Sequence, residues 1–223
     1  MKLSQFPCPL DQIPIICFKR CPFLRSFVMA VCDEVIKTKI FPKQWLKATT
    51  ILIYKKGDRS DPSNYRPITL EPVMLKIFTS LLRDRVFEFL SANGSIETNL
   101  QKGFTPGLAG TYEHIASMSH LIKDARRKQK SITITLIDLK NAFREVNHKL
   151  IETVLEHHHL PNDVIELVRN LYSNFYVTII TDSYCSDFVK VSKGVLQGDC
   201  FSPLVFNMLI NTFVQYVKND HFT

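Results

Sequence analysis

Two stretches of this chain carry residue types whose spacing suits phosphate chemistry. In Ser131-Ile132-Thr133-Ile134-Thr135-Leu136-Ile137-Asp138, apolar positions 132, 134 and 136 alternate with threonines, the pattern of a strand with one buried face. Such a strand delivers Asp138 to its end, where Leu139-Lys140-Asn141-Ala142-Phe143 continues as a helix-like stretch. A carboxylate fixed there can hold Mg²⁺ against nucleotide phosphates, because Mg²⁺ takes hard oxygen ligands and shares itself with the substrate. The second stretch is Gly194-Val195-Leu196-Gln197-Gly198-Asp199-Cys200-Phe201-Ser202-Pro203-Leu204. Gly198 lets the backbone of this turn approach a ligand closely. Together the two stretches point to template-directed nucleotide polymerisation.

The elements that must position these residues are read from periodicity and punctuation. Residues 1–20 are rich in Pro and Cys and are expected to be irregular. Phe23, Leu24, Phe27, Val28, Val31, Val35 and Ile36 recur at helical spacing, which predicts a helix over 22–39. Lys47 to Tyr54 reads as a strand, and the polar residues 55–64 as a turn. Pro72 opens a long amphipathic helix that closes near Asn93-Gly94, and a further helix runs from Thr111 to about Lys130. Its terminal Lys123, Arg126, Arg127, Lys128 and Lys130 complement the helix dipole, which favours a solvated basic end over the alternative of a nucleic-acid contact. Helices near 147–157 and 162–173 come next, then strands at 175–181 and 188–191 joined through Asp182-Ser183. Ser202 is expected as an N-cap with Pro203 at the first helical position, ahead of a helix to about Lys218. His157-His158-His159 ends a helix before Pro161; consecutive helical side chains diverge, which disfavours a metal site.

Composition sets the outer limits. Lys and Arg number 28 against 21 Asp and Glu, a net charge of +7 that is compatible with a polyanionic partner. No apolar run approaches the roughly 18 residues of a membrane-spanning helix. Asp11 and the prolines at 7, 9 and 14 interrupt any signal-peptide apolar region, so the chain is expected to be intracellular, in nucleus or cytoplasm. The six cysteines form no C-x-x-C pair and have no nearby His to complete a zinc pattern, so they are expected as reduced thiols.

Four blocks in register carry a family resemblance. They are Phe41-Pro42-x-x-Trp45 with Lys55-Lys56-Gly57-Asp58 and Asn64-Tyr65-Arg66-Pro67-Ile68; Gln101-Lys102-Gly103-Phe104; Asp138-x-x-x-Ala142-Phe143; and Gln197-Gly198-Asp199-x-x-Ser202-Pro203-Leu204-x-Phe206-Asn207. The chain from about Ile40 onward resembles the reverse transcriptase domain of non-LTR retrotransposons. The resemblance implies an α+β fold of the right-hand polymerase type, with fingers over about 40–130 and a partial palm over about 131–223. Its palm sheet would be antiparallel and packed on helices, the thumb absent, and residues 1–39 a helical extension.

It also implies an RNA-directed DNA polymerase that adds dNTPs to a DNA primer on an RNA template. Such polymerases use two metal ions, roughly 3.5–4 Å apart, to activate the primer hydroxyl and steady the leaving pyrophosphate. Asp138 and the backbone carbonyl of Leu139 would hold Mg²⁺. Phe143 matches the family's aromatic gate, which crowds the sugar 2′ position and rejects ribose by collision. Gln197 and Gly198 would lie against the incoming nucleotide and the templating base. Lys55, Lys56 and Arg66 are candidates for the triphosphate, and the sequence does not choose among them. Arg66 precedes Pro67, which favours an extended backbone and a free guanidinium. Asp199 is not expected to ligate metal.

The sequence departs from the family pattern in three places. Arg144 stands where a further acidic residue often follows the aromatic, and Thr105-Pro106-Gly107 replaces an arginine after Gly-Phe. The paired aspartates of the second palm motif do not occur before Thr223, and Asp220 does not fit that motif. The two-metal site is therefore expected to be incomplete in this chain and the fragment inactive. The alternative is a non-catalytic RNA- or RNA–DNA-binding module derived from a retrotransposon.

Overall fold

Strand β1, Lys47–Tyr54, is rich in Thr and Ile, which fit a pleated surface. It is the hub of the sheet. The computed structural model describes residues 10–219, and in it β1 pairs antiparallel with β2, Tyr65–Leu70, over Thr49–Tyr54. On its other side β1 pairs parallel with β3, Tyr176–Ile180, over Lys47–Ile51. A short β4, Val189–Lys190, closes the edge antiparallel to β3, giving the order β2-β1-β3-β4. Beyond Ile51 β1 has β2 alone as neighbour, so the β1–β2 hairpin projects from the sheet with Leu52, Ile53 and Tyr54 exposed.

The sheet corrects two expectations. It is mixed rather than antiparallel: β1 and β3 are joined by a crossover through several helices, and such a connection permits parallel pairing. The segment 131–138 forms no strand. Its alternation is present in the sequence, but a strand also needs a neighbour's hydrogen-bonding groups, and this segment makes no ladder with any described residue. It runs exposed, with Leu136 86% accessible.

The helices are α1, Ile15–Arg20; α2, Pro22–Thr38; α3, Val73–Ala92; α4, Thr111–Arg127; α5, His148–His157; α6, Asn162–Ser173; and α7, Ser202–Asn219. α1 falls where irregular chain was expected; it buries Phe18, which outweighs the local proline content. The core lies between α2, α3, α5, α6 and α7 and the inner face of the sheet, around Leu75, Phe78, Ile151, Leu155, Phe175, Phe201 and Met208. Phe41 and Trp45 of the first sequence block belong to this core, packing on Phe78 with ring centroids 5.4 Å and 5.9 Å away. The five described cysteines are free thiols; Cys8 and Asp220 lie outside the described residues. Among the described residues no helix is long and apolar enough to cross a membrane.

Candidate nucleotide site

The β1–β2 hairpin ends in a turn built by side chains bonding to backbone. Tyr54 Oη donates to the Gly57 carbonyl (2.6 Å), Asn64 Nδ2 to the Asp58 carbonyl (2.9 Å) and Tyr65 Oη to the Arg59 carbonyl (2.9 Å). Lys55 N donates to Asn64 O (2.8 Å), which carries the pairing one step past the strands. Arg66 lies directly across from Ile53, so Lys55, two residues on from Ile53, shares a face with Arg66, and Lys56 lies in the bend that follows. All three cations are exposed. They are not alone at the tip. The Ser60 amide holds Asp58, and the Ser63 hydroxyl and amide hold Asp61, below the usual carboxylate range. Arg59 is drawn over the Tyr54 ring, 5.1 Å from its centroid.

The segment 194–199 is clamped from two sides. On one side Val195 N donates to Phe143 O (2.7 Å) and Gly194 N to Val146 O (2.6 Å). Gly194, at φ +89°, has no room for a side chain: a Cβ there would meet Arg144 O at 2.9 Å. On the other side Thr69 N of β2 donates to Gln197 O (2.7 Å). Gly198, at φ +127°, lies so close to that strand that a Cβ would overlap the Thr69 carbonyl oxygen. The glycine is thus required by backbone approach to β2, a different reason from approach to a ligand. A cavity of about 280 Å³ opens beside this clamp, lined by Thr50, Thr69, Arg144, Lys193, Leu196 and Gln197 among others.

Asp199 ends the turn and caps α7. Its Oδ2 accepts from Phe201 N (2.9 Å), Ser202 N (2.7 Å) and Ser202 Oγ (3.0 Å). The capping role expected of Ser202 therefore belongs to Asp199, and Ser202 is the first helical residue. Phe143 is half-buried, stacked on Phe206 of α7 at 4.7 Å and met edge-on by Phe104 at 6.0 Å. Each of these three rings comes from a different one of the sequence blocks, and α7 ties them further through Asn207. Gln101 Nε2 donates to Asn207 Oδ1 (3.0 Å), and Asn207 Nδ2 donates to Gly103 O (2.8 Å).

Residues 53–222 match the family model described as reverse transcriptase (RNA-dependent DNA polymerase). The chain belongs to the reverse transcriptase family. It is 30% identical over 179 residues to the Pol polyprotein of a type-1 R2 retrotransposable element from Nasonia vitripennis, covering 80% of this chain and 17% of that protein. It is 24% identical to the Pol polyprotein of the type-2 R2DM element of Drosophila melanogaster, over 78% of this chain and 16% of the relative. It is 26% identical to a probable RNA-directed DNA polymerase of the Drosophila melanogaster transposon X-element, over 81% of this chain and 20% of the relative. These similarities identify a reverse transcriptase domain of the non-LTR retrotransposon kind, in a chain that spans a fifth or less of each relative's length.

Within this reverse transcriptase domain the expected site residues fall into three groups. Phe143, Gln197 and Gly198 are brought together by the 194–199 clamp. Arg66, on β2 three residues and roughly 10 Å from Thr69, presents the opposite strand face, the one it shares with Lys55. Lys55 and Lys56 lie farther out at the hairpin tip. Asp138 is exposed, in the irregular segment that precedes a turn over 140–145. That turn replaces the expected helix-like stretch; Arg144 N bonds back to Asn141 O (2.8 Å), and Asn141 adopts φ +53°.

Asp138 and the Leu139 carbonyl supply one carboxylate and one neutral oxygen. No group of three or more His, Cys, Asp or Glu side chains placed to hold a metal occurs among the described residues. The donor set falls short of a two-ion centre. Sequence reasoning missed Thr69 and Phe104 as residues that build the site.

Proposed function

We propose that this chain is the nucleotide-selecting part of an RNA-directed DNA polymerase, acting on an RNA template, a DNA primer and dNTPs. The observation that carries the reading is the double clamp on residues 194–199: Val195 bonds to Phe143 on one side and Thr69 bonds to Gln197 on the other. It joins the aromatic, the Gln-Gly turn and the arginine-bearing strand into one unit. In this reading Gln197 and Gly198 face the incoming nucleotide and the templating base. Arg66, with Lys55 or Lys56 on the mobile charge of a flexible stem, takes the triphosphate; the planar guanidinium of Arg66 suits bidentate contact. Phe143, whose ring is fixed by stacking on Phe206, crowds the sugar 2′ position.

Asp138 and the Leu139 carbonyl are the proposed Mg²⁺ ligands, and bound Mg²⁺ would supply charge neutralisation at the triphosphate. Asp138 is the one acidic anchor proposed among the described residues for a reaction that uses two ions, so residues 1–223 by themselves are proposed not to extend a primer. The fingers of the proposed arrangement comprise about 40–130 and the palm portion about 131–223, with residues 1–39 as a helical extension.

Sugar selection tests the reading. In the product of the complete reading frame, Phe143→Ala should admit ribonucleotides at least about tenfold more readily, the order of effect of one lost steric contact of 1.4 kcal/mol. Unchanged discrimination in a folded, active variant would remove Phe143 from the site.

A further inference from the structure

Glu71 follows the end of β2, two residues beyond Thr69, and Asp199 lies two residues beyond Gln197. The bond from Thr69 N to Gln197 O therefore brings the two carboxyl-bearing stretches side by side. Glu71 is 2% exposed, and neither of its carboxyl oxygens meets a donor. Asp199 Oδ2 takes its three capping bonds, while Oδ1 is buried without a donor. Two ionised carboxylates offer acceptors and no donor, so they cannot bond to each other, and burying both charges is costly. A proton on Glu71 resolves both problems at once, because the acid then donates to Asp199 Oδ1.

We propose that Glu71 and Asp199 share one proton, and that this carboxyl–carboxylate hydrogen bond makes Glu71 the positioning residue of the Gln197–Gly198 turn. Burial first, and then the Asp199 charge, push the Glu71 carboxyl well above its ordinary range, with Lys76 opposing. Around the pair stand Lys76 and Arg83 from α3, Tyr172 from α6 and Cys200 from the turn. Burial also pushes up Tyr172, and Cys200 to about 11, so neither adds charge at neutral pH. Arg83 is engaged by Asp84 (2.6 Å) and Ser80 (3.2 Å). The shared proton ties the strand bearing Arg66 to the turn capping α7. The turn is fixed in this way whether or not it meets a nucleotide.

Because the folded-state value is raised, the pair's contribution to stability is full below the ordinary Glu range and is lost as pH rises through the raised value. The test uses the whole chain and two variants. At about pH 6, well above the ordinary Glu value near 4.3, the infrared spectrum should show a protonated-carboxyl band that vanishes in Glu71→Gln. Glu71→Gln, whose amide donates without needing a proton, should keep the Thr69 amide exchanging at the wild-type rate and flatten the pH dependence of unfolding. Glu71→Leu, which donates nothing, should speed Thr69 exchange about tenfold, the scale of one lost hydrogen bond. Absence of the band in the wild type, or its persistence in Glu71→Gln, would overturn the proposal even if Glu71→Leu fails to fold. So would unchanged Thr69 exchange in a folded Glu71→Leu.

Discussion

Gln101 Nε2 donates to Asn207 Oδ1 across 3.0 Å, joining two residues 106 positions apart in the chain. Asn207 is 2% exposed and returns a bond of 2.8 Å from its own Nδ2 to Gly103 O. One side chain of α7 thereby holds the loop that carries Phe104, and Phe104 in turn meets Phe143. Asn207→Ala should destabilise the fold by about 1–3 kcal/mol, because it leaves buried partners without their bonds. Denaturant unfolding measures the loss. A double-mutant cycle with Gln101→Ala should give a coupling of about 0.5–1.5 kcal/mol, and a value near zero would show that the pair is not energetically linked.

Gly198→Ala should be far more damaging than its size suggests. The new methyl group would overlap the Thr69 carbonyl while the backbone stays at φ +127°. The two costs together amount to about 2–4 kcal/mol. A midpoint in urea within error of the wild type would contradict the close approach of the turn to β2.

His158 couples stability to pH in the direction opposite to Glu71. Its Nδ1 donates to Val154 O (2.9 Å) and its Nε2 accepts from Asn211 Nδ2 (3.4 Å), the pattern of a neutral ring. Burial, reinforced by His157 and His159, holds its pKa below the ordinary histidine value of 6.5 despite the Val154 bond. The unfolded state then binds the proton more readily, so stability present above 6.5 is lost as pH falls through the lowered folded-state value. His148, depressed mainly by burial, acts in the same sense. Unfolding followed between about pH 7.5 and 5 should show a shallower slope in His158→Asn than in the wild type. Equal slopes would mean that His158 is not the neutral, buried group described.

Arg66 should matter for nucleotide affinity and little for folding, since its side chain is exposed on β2. In the product of the complete reading frame, Arg66→Ala should raise the KM for dNTPs about tenfold or more, the scale of a charge-assisted hydrogen bond. The unfolding midpoint should move little. A large stability loss with unchanged KM would assign Arg66 to the fold instead.

Much of the fold was legible because local signals and tertiary needs agree. The apolar period of α3 is bracketed by Pro72 and Asn93-Gly94, and the helix forms over Val73–Ala92, just inside those signals. β1 forms over the very residues whose Thr and Ile content announces it. Sequence failed where an element depends on a distant partner. The alternation in 131–138 specifies a face to bury but cannot supply a neighbouring strand, so Asp138 is not delivered to a strand end. The parallel pairing of β1 with β3 likewise follows from a crossover that no local pattern encodes.

The site divides in the same way. Gly198 was legible as a glycine that something must approach; that the something is Thr69 O was not. Asp199 is not expected from sequence to ligate metal, and the structure gives it the cap expected of Ser202, three residues away. Glu71 acquires meaning solely from Asp199, which lies far along the chain.

Primer extension on an RNA template with Mg²⁺ tests the central claim most directly, comparing residues 1–223 with the product of the complete reading frame. The complete product should add dNTPs, Asp138→Ala should abolish this, and residues 1–223 alone should add none. Extension by the 223-residue chain itself, or undiminished activity in Asp138→Ala, would contradict that claim.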